Sequence, residues 1–168
     1  MRIRHRVAIA LAAIAITLTA CGPSRETQKE QPVLAFESAV LTAIVMDFVL
    51  DWASASGEER WDDLKSHYSN DEAFSWVEQG ALRYTSSAEI SDSIDQAVAQ
   101  GAKVTTELDN IKITLLHDGT ALVIADIEIA FDFGGPEPFG MTGAFSGIAK
   151  RADDRWQWLH GHMSEQTR

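Results

Sequence analysis

The stretch at residues 155–164 carries the side chains best suited to chemistry in this chain. Trp156, Trp158, His160, His162 and Ser164 occupy every second position, and side chains two apart in a β-strand point to the same face. The sequence therefore predicts one strand face with two indoles, two imidazoles and a hydroxyl, which could bind a small molecule or move a proton. The two tryptophans also suit core packing, because an indole buries a large apolar area.

The two histidines allow several interpretations. Imidazoles spaced i, i+2 on a strand could grip a metal ion from one side. No third ligand at a recognisable spacing accompanies His160 and His162, so we predict neither a metal site nor a cofactor. Structural histidines held by hydrogen bonds and pocket-lining donors or bases both remain open.

Other candidate groups lie on a helix, a hairpin and a strand. Asp47 and Asp51 lie four residues apart within an apolar stripe of the helix. They are either solvent-exposed near the helix end or line a cavity, where desolvation would raise the pKa of each carboxylate. Trp76 and Glu78 share one face of a short hairpin and belong either to a pocket wall or to the hairpin surface. Asp126 lies in mid-strand, where a carboxylate must face water or a pocket.

Three helices and a short hairpin are predicted for the first part of the domain. Between residues 33 and 54 apolar side chains recur at i, i+4 and fill most other angles, which predicts a long helix buried nearly all round. A second, short helix is predicted over 57–69. An alternating hairpin follows over 74–85, with Gln-Gly at its turn. Ser86 and Glu89 form a capping box for the third helix.

From Lys103 the hydrophobic period changes to two, which predicts long strands. They cover residues 103–116, 120–133 and 139–151 and the final stretch from Arg155, with His117-Asp118-Gly119 as a hairpin turn. With the two short hairpin strands, the predicted class is α+β with three helices and about six strands.

The start of the chain has the pattern of an export signal. Arg2, Arg4 and Arg6 precede an apolar run from Val7 to Ala20, and this run is shorter than the roughly 20 residues that span a bilayer.

Leu18-Thr19-Ala20-Cys21-Gly22 resembles the bacterial lipoprotein lipobox. The resemblance implies cleavage before Cys21 and acylation of its sulfur and new amino group, palmitate included, which would hold the protein on a membrane. Gly22 is not the aspartate that retains such proteins at the inner membrane, so the resemblance favours the outer membrane in a host that has one. The expected location is the cell envelope, facing the periplasm or the exterior. A plain signal peptide followed by a free thiol is the alternative.

Charge and composition narrow the partners. Without residues 1–20 the chain keeps 11 basic and 25 acidic side chains, a net charge of −14, which makes nucleic acid and anionic lipid surfaces poor partners. Cys21 is the only cysteine, so no disulfide framework is expected. The predicted organisation is a signal peptide at 1–20, the lipidated cysteine and a flexible tether at 21–32, and one domain at 33–168.

The order of elements and the ending Trp156-x-x-x-His160-x-His162-x-Ser164 resemble the nuclear transport factor 2-like superfamily, and within it the SnoaL-like bacterial domains. The turn Asp118-Gly119-Thr120-Ala121 and the hairpin residues Gly80 and Tyr84 also match, and the resemblance covers about residues 33 to 166. It implies a cone, in which a curved, mostly antiparallel sheet wraps around a long N-terminal helix and leaves a pocket at its open end. Such domains often form dimers through the outer sheet face, so a homodimer is also expected.

The resemblance also implies candidate site residues. Enzymes of this superfamily generally place an acid–base Asp or His, with a Tyr or another donor, inside the cone. The residues predicted to line the pocket are Trp76, Tyr84, Trp158, His160, His162, Asp47, Asp51 and Asp126.

The favoured prediction is a lipid-anchored, extracytoplasmic domain that binds a small apolar molecule or acts as an accessory protein. An isomerase, dehydratase or cyclase with a pocket general base is the second possibility, and an adaptor acting through its sheet surface is the third. A carboxylate with a raised pKa in a closed pocket would favour the enzyme. A collapsed cone with a large exposed apolar patch would favour the adaptor.

Overall fold

The computed structural model describes residues 27–136 and 138–166; Cys21 and the predicted signal peptide lie outside these residues. The helices are α1 (Thr27–Gly57), α2 (Trp61–Ser66) and α3 (Ser87–Ala99), and the strands are β1 (Ser75–Glu78), β2 (Ala81–Tyr84), β3 (Lys103–His117), β4 (Thr120–Asp132), β5 (Phe139–Ala152) and β6 (Arg155–Glu165).

The six strands form one curved sheet that does not close, in the order β2-β1-β6-β5-β4-β3. Strand β1 pairs with β6 in parallel, and every other neighbouring pair is antiparallel. With the three helices this sheet makes the cone-shaped α+β fold that the sequence predicted.

Local sequence signals explain the short hairpin and the third helix. Gln79 and Gly80 have φ values of 51° and 76°, which a two-residue turn of the hairpin type requires at both central positions. At the start of α3, Ser86 Oγ accepts a hydrogen bond from the Glu89 N–H at 3.3 Å, and the Glu89 carboxylate accepts one from the Thr85 N–H at 2.6 Å. This backbone bond from Thr85 holds the pKa of Glu89 below its usual value. The predicted cap at Ser86 is therefore confirmed, with the Glu89 carboxylate bonded to the N–H of Thr85, one residue before the cap.

Helix α1 differs from its prediction in two ways. It begins at Thr27, ahead of the predicted start at residue 33, because the preceding Gln, Lys and Glu residues are good helix formers. From Phe36 on, its burial is one-sided: Val45 and Val49 are fully buried, whereas Phe36 is 70% exposed and Val40, Ile44 and Leu50 are also exposed. The prediction of burial all round was therefore wrong, because the sheet and the other helices cover only one side of α1 among the described residues. By length and mean hydropathy the segment Phe36–Gly57 could cross a membrane, a criterion that core helices also meet.

Strand β6 contains a β-bulge that reverses its faces. Ala149 pairs with Trp158 and Ile148 pairs with His160, so Leu159 is the extra residue. An extra residue shifts the alternation by one position, so each later side chain exchanges faces. The prediction of one continuous face was therefore wrong: the buried positions are Trp156, Trp158, Gly161 and Met163.

The bulge matches a change of pairing partner. The Trp158 N–H donates to the His67 carbonyl at 2.7 Å, and the Ser69 N–H donates to the Trp158 carbonyl at 3.0 Å. Beyond Leu159 the strand pairs with β1 instead. The segment after α2 and strand β1 are thereby both fixed against β6.

An aromatic cluster joins α1 to the concave face of the sheet. The Trp52 ring stacks on Phe145 at a centroid distance of 5.2 Å and meets Trp158 edge-on at 5.3 Å. Trp76 meets the Tyr68 ring edge-on at 5.3 Å. Each such pair contributes about 0.5–1.5 kcal/mol beyond its burial, so this cluster fixes α1 against the concave face of the sheet.

Candidate functional site

A cavity of about 150 Å³ lies between the helices and the concave face of the sheet. Its wall combines residues from α1, α2, α3 and the sheet, and apolar atoms dominate it. The aromatic members of the wall are Trp52, Trp61, Tyr68, Trp76, Tyr84 and Phe131. Cavities of this volume hold a molecule about the size of benzene.

A few polar groups converge on this apolar space. Trp52 Nε1 donates to the Tyr68 hydroxyl at 3.0 Å, and both residues are buried. The Tyr84 hydroxyl lies 2.9 Å from Ser93 Oγ, which joins β2 to α3. An apolar enclosure with few placed polar groups is the usual composition of a small-molecule site.

Tyr68 supplies a free donor. Its oxygen accepts the bond from Trp52, and the described residues offer no acceptor to its own proton. Burial is the main cause that raises the pKa of Tyr68, and the charge of Glu78 adds to it. The phenol is therefore a neutral hydrogen-bond donor on the cavity wall.

Glu78, the last residue of β1, is the only charged side chain that lines the cavity within the described residues. Burial raises its pKa, and the positive charge of Arg83 on β2 opposes the rise. The Trp76 indole lies close enough to oppose it as well, but Trp76 Nε1 makes no well-oriented hydrogen bond with any described residue. The negative charge of Glu78 is thus only partly balanced by nearby groups of the protein.

Gly161 on β6 determines where Trp76 lies. A Cβ built at Gly161 would come within 2.6 Å of Trp76 Cη2 and closer still to two further atoms of that ring. Only glycine leaves the room that Trp76 occupies, so this close approach positions one aromatic wall of the cavity.

The structure brings two of the predicted pocket residues to the cavity, Trp76 and Tyr84. Trp158 is fully buried beneath it and packs between Phe48 and Phe145, at ring centroid distances of 4.9 Å and 5.1 Å.

Both predicted imidazoles lie outside the cavity lining. His160 Nδ1 is 2.8 Å from Ser75 Oγ, and His162 pairs with Val77 on one side and Ser146 on the other. The bulge at Leu159 places them on the face opposite the core. Among the described residues no group of three or more His, Cys, Asp or Glu side chains could hold a metal ion.

The three predicted aspartates also lie outside the cavity lining. Asp47 is exposed. Asp51 accepts from Arg60 at 2.7 Å and lies 3.1 Å from Nε2 of the buried His67. Asp126 accepts from Asn110 at 2.7 Å on the exposed side of β4. Asp51 therefore meets a histidine, but one from the end of α2 and not from β6.

Several cavity residues were not predicted. Trp61, Leu64 and Tyr68 lie within the predicted short helix at 57–69, and Trp52 lies within the predicted long helix. Their spacing gave no sign that they border an empty space instead of a filled core. Glu78 was left open between pocket and surface.

Comparisons with known proteins agree with this geometry. The SnoaL-like domain family matches residues 45–167. A search of curated proteins finds no significant match.

Solved structures share the fold. A candidate scytalone dehydratase from Novosphingobium aromaticivorans DSM 12444 has a TM-score of 0.70 and 10% identity, covering 79% of this chain and 89% of its own. The hexachlorocyclohexane dehydrochlorinase LinA-type3 from Novosphingobium barchaimii LL02 has a TM-score of 0.64 and 13% identity, covering 79% and 91%. A nuclear transport factor 2-like superfamily protein from Salmonella enterica serovar Typhimurium LT2 has a TM-score of 0.65 and 13% identity, covering 78% and 94%. The solved structures show that the chain shares the fold of a nuclear transport factor 2-like protein, and the match to residues 45–167 shows that it belongs to the SnoaL-like domain family.

Proposed function

We propose that this domain binds a small, mostly apolar molecule in the cavity between its helices and sheet. The observation that carries the proposal is the partly open cavity of about 150 Å³, with aromatic walls and few polar groups. Such a space gives up packing contacts when empty and gains them when a ring-sized molecule enters. The cone is not collapsed, which favours a ligand-binding function over an adaptor that uses only the sheet surface.

A pair of variants on α3 tests this proposal. Ala97 lines the cavity and is half-buried, whereas Ala99 on the same helix is exposed. Ala97→Phe should fill the cavity, and Ala99→Phe adds the same side chain in solvent. We expect natively purified wild-type protein and Ala99→Phe to release the same small molecule on denaturation, detected by mass spectrometry, and Ala97→Phe to release none. Equal release from both variants would place the ligand elsewhere and refute the proposal.

An enzyme is the second candidate, and the environment of Glu78 favours it. A raised carboxylate pKa brings a general base closer to neutral pH, where proton transfer is most efficient. Ionised Glu78 would accept a proton from a substrate carbon, while the Tyr68 phenol donates to an oxygen that gains negative charge. Two of the structural relatives carry names of elimination enzymes, which is consistent with proton removal.

This second candidate has a direct test. Wild-type protein in deuterated water should exchange the protons next to the carbonyl of a ring-sized ketone such as cyclohexanone, followed by NMR. Glu78→Gln should abolish the exchange. Glu128→Gln, which removes an exposed carboxylate on β4, should keep it. Exchange that persists in Glu78→Gln would remove Glu78 from the proposal.

We also propose that the protein is a lipid-anchored, extracytoplasmic lipoprotein. The support is the sequence alone: a charged start, a short apolar run and small residues directly before Cys21. Intact-mass analysis of membrane-extracted protein should show a chain that begins at Cys21 and carries acyl groups. An unmodified mass, or a Cys21→Ala protein that stays in the membrane fraction, would contradict the anchor.

A further inference from the structure

We infer that the cavity ligand carries a positively charged amine, quaternary or protonated, held between the aromatic walls and the Glu78 carboxylate. This inference rests on the proposed ligand-binding function and specifies the chemical class of the ligand.

The wall has the composition of a cation-binding enclosure. Six of its residues are aromatic, three of them tryptophans. The rings of Trp52 and Tyr68 each pack edge-on with Trp76, at centroid distances of 6.1 Å and 5.3 Å, and all three residues line the same cavity. An organic cation gains energy on the face of such a ring, most strongly with tryptophan and where water is excluded.

Glu78 determines the sign of the charge that fits. No basic side chain lines the cavity within the described residues, so an anionic ligand would meet one carboxylate and no counter-charge. Arg83 is exposed and lies with Glu78 on the adjoining groove, not on the cavity wall. The carboxylate of Glu78 has no well-formed hydrogen bond or ion pair with any described residue. The Glu78 side chain is half-buried, and a cationic ligand would pair with its carboxylate.

The net negative charge of the chain also favours a cationic ligand. Acidic side chains outnumber basic ones by 25 to 14, and a field of one sign concentrates ligands of the opposite sign near a cleft. A small organic cation is therefore both attracted over distance and complemented at the site.

A pair of matched probes separates charge from shape. Choline and its uncharged isostere neohexanol, in which carbon replaces the nitrogen, are each small enough for a cavity of about 150 Å³. Their binding is followed by the fluorescence of Trp52, Trp61 and Trp76 and by calorimetry. We expect choline to bind wild-type protein about tenfold more tightly than neohexanol, on the scale of a desolvated cation–aromatic contact.

The variants assign this preference to one carboxylate. Glu78→Gln should lose the carboxylate's share of the preference and keep only the share due to the aromatic rings, whereas Glu128→Gln, which removes an exposed charge outside the cavity, should keep the full preference for choline. Unchanged neohexanol binding shows that Glu78→Gln is folded with its cavity intact.

A wild-type pH series supports the assignment without any substitution. Tyr68, Arg83 and Tyr84 lie near Glu78. Between about pH 4 and 8 phenols stay neutral and guanidinium groups stay positively charged, so these residues do not change charge in the series. Glu165, farther along β6, binds Gln79 at the surface. Protonation of Glu78 should therefore weaken choline binding as the pH falls, with neohexanol as the reference.

Three outcomes are distinct. A choline preference that falls in Glu78→Gln and at low pH, but not in Glu128→Gln, supports the inference. Equal binding of both probes to wild-type protein overturns it and leaves the proposed function standing. No binding of either probe, together with no released molecule from wild-type protein, overturns both.

Discussion

Gly161→Ala tests whether the cavity wall depends on the close packing of the Trp76 ring of β1 against Gly161 of β6. The added methyl group would come within 2.6 Å of Trp76 Cη2, whereas carbon atoms pack at about 3.5–4.0 Å. The indole must therefore move by about 1 Å or more. Trp76 is 1% exposed and touches the rings of Tyr68 and Phe145, so it cannot move without disturbing them. Such overpacking costs about 1–3 kcal/mol.

Urea unfolding followed by circular dichroism measures this cost, and Gly135→Ala is the control. A Cβ at Gly135 meets nothing within 4 Å, so this variant should stay within about 0.5 kcal/mol of wild type. Gly161→Ala should also weaken binding of the cavity ligand, because the displaced indole changes the cavity wall. If Gly161→Ala were as stable as Gly135→Ala and bound ligand normally, the described packing of Trp76 on β6 would be wrong.

Other variants test single contacts. Tyr68→Phe leaves the Trp52 indole without its acceptor and should lower the free energy of unfolding in urea by about 1–3 kcal/mol. The same substitution should cost less in a protein that already carries Trp52→Phe, and an equal cost in both backgrounds would contradict the hydrogen bond. Ser86→Ala removes the cap that accepts from the Glu89 N–H and should cost about 0.5–2 kcal/mol, and an unchanged midpoint would count against the cap. Burial raises the folded-state pKa of Glu78 above 4.5, so its contribution to stability is full below the unfolded-state value and is lost as pH rises through the folded-state value. Glu78→Gln should therefore be more stable than wild type at pH 7 and lose that advantage near pH 4. If the difference in unfolding free energy between the two proteins did not change with pH, burial would not raise the pKa of Glu78.

Much of the fold could be predicted because its signals are local. The turn at Gln79-Gly80, the cap at Ser86 and the change to period two at Lys103 each depend on a few neighbouring residues, and the structure has all three. The resemblance to the SnoaL-like domains then supplied the arrangement of these elements in space.

The site could be predicted only in part, because it depends on contacts distant in sequence. Leu159 looks like an ordinary strand residue, yet β6 changes its pairing partner there and needs a bulge, which turns His160 and His162 away from the core. The exposed side of α1 was missed for a similar reason, because apolar residues in a helix do not show whether another element covers them. Glu78 became significant only when the structure placed it on the wall of an unfilled space.

The most direct test of the central claim is a crystal structure of the protein purified from its own cells under mild conditions. The account predicts difference density for a non-protein molecule in the cavity, in contact with Glu78 and the indoles of Trp52 and Trp76. A cavity closed by the protein's own side chains, with no molecule bound, would contradict it.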